Sequence, residues 1–256
     1  MQAGVMSPKT VATAIKVFVG ILVVSAVGAL GYYLYDTYYL HPPLTAVDKS
    51  VQEVQADLKR DPRSVNAHIR LGELFVKQNK LQDARQEFQK ALTFGKNHPR
   101  AMLDLGLVEE QLGNTSAAEK VYLQMERNLS KTQFAQINTY LGDAFVRLGL
   151  IYVGRKQYVK GLDYYGKALT INPSDADILV LTANANYERG EYDKARVGYE
   201  QALRFVPDFG EAHLGLGKVL EKQGKKDEAL AQYKLALRYN PELTEASAGL
   251  KRLEGK

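Results

Sequence analysis

Histidine and cysteine, the side chains that most often carry nucleophilic or metal chemistry, are sparse in this sequence. Its 256 residues include no cysteine, which excludes thiolate ligands, thiol nucleophiles and disulfides. The four histidines are His41, His68, His98 and His213, and no two of them stand at helical spacing. We therefore predict no metal site. His68 and His213 are interpreted as packed, hydrogen-bonded residues at the edge of the core.

Other catalytic motifs are missing as well. The sequence has no glycine-rich loop followed by lysine and serine or threonine, no His-Glu-x-x-His and no nucleophile elbow. We accordingly predict no catalytic residues, no enzymatic activity and no bound cofactor. The net charge of +5 is spread along the chain without a basic stripe, which argues against nucleic-acid binding.

The first forty residues contain a long uncharged apolar run. From Val17 to Tyr35 there are nineteen residues without a charge, and as a helix they would span about 28 Å, close to the hydrocarbon core of a bilayer. Tyrosines collect at the end of the run, as is typical of a membrane interface. We predict a short tail over 1–16 and a transmembrane helix over 17–39. The anchor residues are Val17, Phe18, Ile21, Leu22, Tyr32, Tyr33 and Tyr35.

The charges that flank this run predict an orientation. Lys9 and Lys16 precede it, whereas Asp36 follows it. The positive-inside rule then places the N-terminus in the cytoplasm and the remaining domain on the trans side, periplasmic or extracytoplasmic. One alternative is a cleaved signal peptide with a cleavage site at residues 29–31. Another is a buried core helix, although the all-round apolar character argues against it.

A recurrent pattern of small and aromatic residues fills residues 65–243. In each unit a pair like Leu-Gly is followed by a small residue, an aromatic residue and, usually, another small residue at fixed spacing. The pairs are Leu71-Gly72, Leu105-Gly106, Leu148-Gly149, Thr182-Ala183 and Leu216-Gly217, and the aromatics are Phe88, Tyr122, Tyr165, Tyr199 and Tyr233. The units begin near residues 65, 99, 142, 176 and 210, so three intervals are 34 residues and one is 43.

This pattern resembles the tetratricopeptide repeat, a helix–turn–helix unit of that length. The resemblance implies an all-α solenoid of about five units, in which helix A and helix B pack closely at the small residues. A Pro-Pro linker and an N-capping helix are expected over 40–64, and a C-terminal capping helix over 244–256. The N-capping helix could instead form a coiled coil with a second copy. We predict that the nine extra residues after the second unit lengthen helix A of the third unit, which would then begin at Ser130.

The resemblance also implies a concave groove lined by helix A of each unit, at its second, fifth, ninth, twelfth and thirteenth positions. From these positions we select a candidate protein-binding set of Ile69, Glu73, Val76, Leu103, Leu107, Val146, Leu150, Val180, Asn184, Tyr187, Leu214 and Lys218. The fifth position is apolar in all five units, which suits an extended peptide or an amphipathic helix. Since it is never lysine, the family's clamp for C-terminal carboxylates is missing.

The expected function is therefore binding of other proteins. We expect a membrane-tethered, non-catalytic scaffold that acts as an adaptor, chaperone or assembly factor, with partners among membrane or envelope proteins. A tether would raise the local concentration of the groove near such partners. Two alternatives are a permanent structural subunit of a large membrane complex and a self-assembling scaffold in which one copy docks on another.

Overall fold

The computed structural model describes residue 19, residues 25–35 and residues 44–255, and every regular element in these ranges is helical. The chain divides into two compact units, residues 1–53 and 54–256. The helices are α1 (Ala46–Arg60), α2 (Val65–Lys77), α3 (Leu81–Phe94), α4 (Pro99–Gln111), α5 (Thr115–Leu129), α6 (Thr139–Gly154), α7 (Tyr158–Ile171), α8 (Ala176–Glu188), α9 (Tyr192–Phe205), α10 (Gly210–Lys222), α11 (Lys226–Tyr239) and α12 (Thr244–Glu254). A short 3-10 helix, Ala135–Ile137, lies between α5 and α6.

Helices α2 to α11 form five helix pairs that follow one another along the chain. The most extensive contacts are those of α2 with α3, α4 with α5, α6 with α7, α8 with α9 and α10 with α11. The second helix of each pair also contacts the first helix of the next, and α11 contacts α12 in the same way. Contacts between neighbours only are what define a solenoid. The prediction of an all-α solenoid of about five units is confirmed.

The close approach of the two helices in a unit depends on a glycine that faces an aromatic ring. A Cβ added to Gly72 would lie 2.6 Å from the ring of Phe88, and one added to Gly217 would lie 2.8 Å from the ring of Tyr233. Carbon atoms prefer separations of about 3.5–4.0 Å, so a larger residue would push the helices apart. The ring also meets the next unit, since an added Cβ on Gly249 would lie 2.6 Å from Tyr233.

In the fourth unit an alanine stands on helix A, and a glycine on helix B makes room for it. Ala183 stands on helix A where the other units have glycine, and Gly198 stands opposite it on helix B. A Cβ added to Gly198 would lie 2.9 Å from the Cβ of Ala183. The space between the helices therefore holds one methyl group and not two.

The turn within each unit requires a residue with left-handed backbone at its fifteenth position. The residues there are Asn79, Gly113, Lys156, Gly190 and Gly224, with φ angles between 56° and 79°. Glycine adopts this conformation without steric cost and asparagine does so readily, whereas a lysine side chain is strained in it. The third unit accordingly pays a local conformational penalty at Lys156.

The extra residues between the second and third units do not form the long helix that we predicted from Ser130. Helix α5 ends at Leu129, and α6 begins at Thr139. The chain cannot continue as one helix because Asn138 has extended backbone and caps α6, its side chain accepting a hydrogen bond from the backbone N–H of Leu141 at 3.1 Å. The connecting segment presents Phe134 and Ile137 to solvent, at 60% and 73% exposure.

The N-terminal segment contradicts the predicted localisation. Residues 25–35 are helical. None of the helices in the described ranges combines the length and the apolar character needed to cross a membrane. They therefore contradict the prediction of a single-pass membrane protein with a cytoplasmic N-terminus and a domain on the trans side. Tyr32, Tyr33 and Tyr35 lie in this helical stretch, whereas Val17, Phe18, Ile21 and Leu22 lie outside the described residues.

Candidate functional site

Two neighbouring cavities open along the A helices of the first four units. The central cavity has a volume of about 440 Å³ and is lined by Leu103, Leu107, Asp143, Val146, Arg147, Leu150, Asp175, Asp177, Ile178 and Leu181. The first cavity has a volume of about 280 Å³ and is lined by Glu73, Val76, Lys77, Phe88, Asp104, Leu107, Val108 and Gln111. Leu107 lines both, so the two cavities adjoin. We call the two together the groove.

Six of the twelve residues that we predicted from the sequence to bind a partner line the groove. Leu103, Leu107, Val146 and Leu150 line the central cavity, and Glu73 and Val76 line the first. The cavities do not include Ile69, Val180, Asn184, Tyr187, Leu214 and Lys218. The residues that come together thus belong to the first three units.

Not every apolar fifth position faces solvent. Ile69, Leu103 and Val180 are only 2%, 6% and 6% exposed. Their side chains fill space between packed helices and contribute chiefly to stability. Val146 and Leu214 are half-buried. The accessible apolar floor of the groove includes Leu107, Val146 and Leu150, the last of which is 39% exposed.

In the last two units, three of the predicted binding residues already contact other side chains of the protein. Asn184 accepts a hydrogen bond from the hydroxyl of Tyr199 at 2.6 Å. The ammonium of Lys218 lies 5.3 Å from the ring centre of Tyr187 and forms an ion pair with Glu245 of α12 at 2.9 Å. These polar groups already have partners, so this end of the concave surface offers little unsatisfied charge.

An adjacent ion pair between α10 and α12 also leaves little unsatisfied charge at this end of the concave surface. The guanidinium of Arg252 donates to both carboxylate oxygens of Glu221, at 2.7 and 2.8 Å. Glu221 also accepts a hydrogen bond from the hydroxyl of Tyr233 at 2.6 Å. Hydrogen bonds from Arg252 and Tyr233 hold the pKa of Glu221 below its usual range, with burial opposing them. The carboxylate is therefore ionised and fully engaged.

In the first cavity, the carboxylate of Asp104 has one oxygen that accepts no hydrogen bond from the described residues. Arg100 forms an ion pair with Glu73 and lies 3.9 Å from Oδ2 of Asp104. That Oδ2 atom is buried and accepts no hydrogen bond from the part of the chain that the structure describes. Burial, and then the nearby charge of Glu73, raise the pKa of Asp104 to about 6, against the opposing effect of Arg100. The 3.9 Å contact with Arg100 is longer than a hydrogen bond, so this oxygen is desolvated without a hydrogen-bond donor.

The central cavity is also acidic. Burial raises the pKa of Asp143; the nearby charge of Asp175 acts in the same direction, and Arg147 opposes both. Arg147 is itself shared with Glu110, 3.4 Å away on α4. Asp175 caps α8 by accepting a hydrogen bond from the backbone N–H of Ile178 at 3.2 Å. The cavity thus concentrates negative charge around an apolar floor.

Three charged residues of the groove lie outside the positions that the resemblance assigns to it. Asp104 and Arg147 stand at the sixth position of their units, and Asp175 precedes its unit. The family's groove positions skip all three. Their signal was a charged residue directly after the apolar fifth position, which recurs as Arg70, Asp104 and Arg147 in the first three units. That signal could have identified two of them.

The two buried histidines lie outside the groove and serve the packing of their units. In His68, Nδ1 lies 2.7 Å from Oε2 of Glu87, and Nε2 lies 3.1 Å from the carbonyl oxygen of Pro62. In His213, the matching distances are 2.7 Å to Oε1 of Gln232 and 3.0 Å to the carbonyl oxygen of Pro207. The interpretation of both as packed, hydrogen-bonded residues is confirmed. In the described ranges no group of three or more His, Asp or Glu side chains could hold a metal ion.

Comparison with known protein families matches four repeat models to this chain. Models described as Tetratricopeptide repeat match residues 47–99, 142–175 and 210–243. A model described as TPR repeat matches residues 183–224. The matches leave residues 100–141 and 176–182 of the solenoid uncovered, and those to 142–175 and 210–243 each span one helix pair.

Three curated relatives share 25–28% of their aligned residues with this chain. Anaphase-promoting complex subunit 3 of Schizosaccharomyces pombe is 25% identical over 164 residues, which is 64% of this chain and 23% of the relative. Protein O-mannosyl-transferase TMTC1 of Homo sapiens is 28% identical over 153 residues, 58% of this chain and 16% of the relative. Type IV pilus assembly protein PilF of Pseudomonas aeruginosa is 25% identical over 143 residues, 56% of this chain and 54% of the relative. The chain thus spans about half or less of each relative.

Two solved structures share the fold. The structure of Pseudomonas aeruginosa PilF superposes with a TM-score of 0.67 at 19% identity, covering 79% of this chain and 88% of that one. The structure of YrrB, described as a TPR protein with an unusual peptide-binding site, superposes with a TM-score of 0.62 at 18% identity, covering 78% and 99%. The helix pairing, the repeat matches and these superpositions agree that the chain is built from tetratricopeptide repeats.

Proposed function

We propose that this protein is a non-catalytic scaffold that binds a partner protein through the groove, as an adaptor, chaperone or assembly factor. The observation that carries the proposal is the open apolar floor of Leu107, Val146 and Leu150, contributed by two successive A helices. A concave site with apolar side chains and a few directed polar groups suits one strand or helix of a partner. A cavity of about 440 Å³ accommodates one or two side chains of such a segment.

The comparisons favour a role in assembly over catalysis. One relative is named as a pilus assembly protein and another as a subunit of a complex, and the structure of YrrB is described with a peptide-binding site. The chain matches only 16% of the mannosyl-transferase. We therefore propose no transferase activity for this chain.

Co-purification of partners with a groove variant tests the proposal. The full-length chain is tagged and expressed in its native cells, and the proteins that purify with it are quantified by mass spectrometry. The groove variant replaces Leu107, Val146 and Leu150 by serine. Because these side chains are half-buried or exposed, the variant should fold, which circular dichroism checks. We expect it to lose the partners that the unchanged chain retains.

A matched control replaces Val159 and Val197 by serine. These valines lie on α7 and α9 and are 71% and 52% exposed, outside the groove. This control should keep every partner. Partners that stay bound to the groove variant would contradict the proposal. The same measurement separates roles, since a fixed ratio of partner to chain indicates a structural subunit and a variable, low ratio indicates an assembly factor or chaperone.

A further inference from the structure

We propose that the groove selects a basic amphipathic segment, one in which apolar side chains are flanked by lysine or arginine. This inference rests on the proposed function and names the chemistry of the partner. It depends on the charges that line the two cavities and on the partners that those charges lack within the protein.

The groove and the chain as a whole differ in the sign of their charge. The cavities are lined by five carboxylates, Glu73, Asp104, Asp143, Asp175 and Asp177, and by two basic side chains, Lys77 and Arg147. The chain as a whole has a net charge of +5. An acidic cleft in a basic protein concentrates its field at the cleft, and it attracts a positively charged segment there and repels an acidic one.

Two carboxylates of the central cavity can accept further hydrogen bonds. Asp143 and Asp177 form no salt bridge or hydrogen bond with any residue in the described ranges, although both sit at the edge of the apolar floor. Asp175 lies close enough for its charge to raise the pKa of Asp143. A lysine or arginine between them would reduce this repulsion and gain charge-assisted hydrogen bonds.

The first cavity is also lined by two carboxylates, Glu73 and Asp104. Arg100 is shared between them, since it pairs with Glu73 and lies 3.9 Å from Oδ2 of Asp104, so one base serves two carboxylates. A side-chain donor that follows the apolar contact at Leu107 reaches the first cavity next, because Leu107 lines both cavities. The groove therefore presents an apolar contact between two acidic ones.

The last unit provides an internal contrast that limits where binding occurs. There the carboxylates Glu221 and Glu245 are paired with Arg252 and Lys218 of the same chain. Acidic groups that are already neutralised attract a basic segment weakly. The segment should accordingly lie over the first to fourth units and stop before α10.

Selection from a random peptide library tests this inference. The full-length chain is immobilised and a library of displayed twelve-residue peptides is enriched against it at about 0.15 M salt, where exposed charges more than a Debye length apart are screened. We expect enriched peptides to combine leucine-like residues with lysine or arginine. The strongest one is then synthesised, together with a version in which glutamate replaces each basic residue. The basic peptide should bind at least about tenfold more tightly, the difference that 1.4 kcal/mol produces.

Variants of the chain locate the effect. Replacing Asp143 and Asp177 by asparagine should weaken the basic peptide about tenfold, as expected for loss of partly desolvated charge pairs. The control with Asp208→Asn and Asp227→Asn changes the net charge equally at exposed sites away from the groove, and it should change binding less than about twofold. All four carboxylates are exposed, and circular dichroism verifies that both variants are folded.

The outcomes distinguish failure of this inference from failure of the proposed function. Enriched peptides without a basic preference that nonetheless lose binding to the serine variant of the groove would overturn this inference and leave the proposed function standing. Equal effects of the two asparagine variants would do the same, because the attraction would then come from the overall charge. If no peptide is enriched, or if the enriched peptides bind the serine variant unchanged, both the inference and the proposed function fail.

Discussion

We predict that Ala183 and Gly198, which face each other in the fourth unit, are energetically coupled. In Gly198→Ala, the new methyl group would lie 2.9 Å from the Cβ of Ala183, about 1 Å closer than carbon atoms prefer. In Ala183→Gly, a completely buried methyl group is lost. Combining the two changes moves the methyl group from helix A to helix B and restores the packing.

The expected magnitudes follow from these contacts. Overpacking costs about 1–3 kcal/mol, and replacing glycine by alanine in a helix returns about 1 kcal/mol, so Gly198→Ala should lower the free energy of unfolding by about 1 kcal/mol. Ala183→Gly loses about 0.8 kcal/mol of burial and about 1 kcal/mol of helix propensity. Added together, the two changes would cost about 3 kcal/mol. The double variant should cost less than about 0.5 kcal/mol, because the two helix-propensity changes cancel and the methyl group is kept.

Urea denaturation of the full-length chain, followed by circular dichroism, measures these differences. Solenoids can unfold in segments, so complete curves are compared and not only midpoints. Gly166→Ala is the control, because Gly166 is an exposed residue within α7 and an added Cβ there meets nothing within 4 Å. That control should stabilise the protein by about 1 kcal/mol. A double variant that is as unstable as the two single changes added together would refute this account of the packing.

Three further predictions concern other sites. Lys156→Gly should stabilise the protein by about 1 kcal/mol, because it relieves the left-handed backbone at φ 59°. His68→Ala should destabilise the protein by about 2–4 kcal/mol, since it leaves the Glu87 carboxylate buried with Lys90 as its remaining partner, whereas His213→Ala leaves a neutral amide and should cost about 1–3 kcal/mol. Asp104→Asn should gain stability relative to the unchanged chain as the pH rises from 4 to 7, by about 1 kcal/mol after allowance for the partial exposure of the carboxylate.

The sign of the pH effect follows from the raised pKa of Asp104, which is about 6 in the folded protein against 3.8 ordinarily. Between these values the folded state binds the extra proton, so the contribution of this carboxyl to stability is greatest below pH 4 and is lost as the pH rises through 6. Urea midpoints of variant and unchanged chain at pH 4, 5, 6 and 7 measure the difference, and a constant difference would contradict the reasoning.

Urea midpoints also measure the other two predictions. For Lys156, the comparison is with Lys156→Ala, which keeps a Cβ and should give no comparable gain. An equal gain from both would show that the backbone is not the cause. For the histidines, equal losses of unfolding free energy in His68→Ala and His213→Ala would show that a charged partner makes the loss no larger than a neutral one does.

The repeat fold is the part that the sequence determined by itself. The small and aromatic positions recur at local, regular spacing, because the two helices of each pair can approach closely only where a small residue stands between them. Such a pattern predicts helix bounds and turns without knowledge of distant contacts. The expected starts at 65, 99, 176 and 210 coincide with the first residues of α2, α4, α8 and α10.

Tertiary structure decided what the local pattern could not. The segment after Leu129 keeps apolar residues at helical spacing, yet it breaks because Asn138 caps α6. Of the five apolar fifth positions, Ile69, Leu103 and Val180 are buried, since the stacking of neighbouring units decides which side chains remain accessible.

The acidity of the groove has the same origin. The carboxylates that gather there, among them Asp104, Asp143 and Asp175, are far apart in sequence, and they share a surface only because successive A helices align. Sequence spacing sets the contacts within a unit, and the stacking of units determines burial and charge between them. Thus the sequence determined that this protein is a solenoid of helix pairs, and only the tertiary structure decided which residues form an apolar and acidic groove.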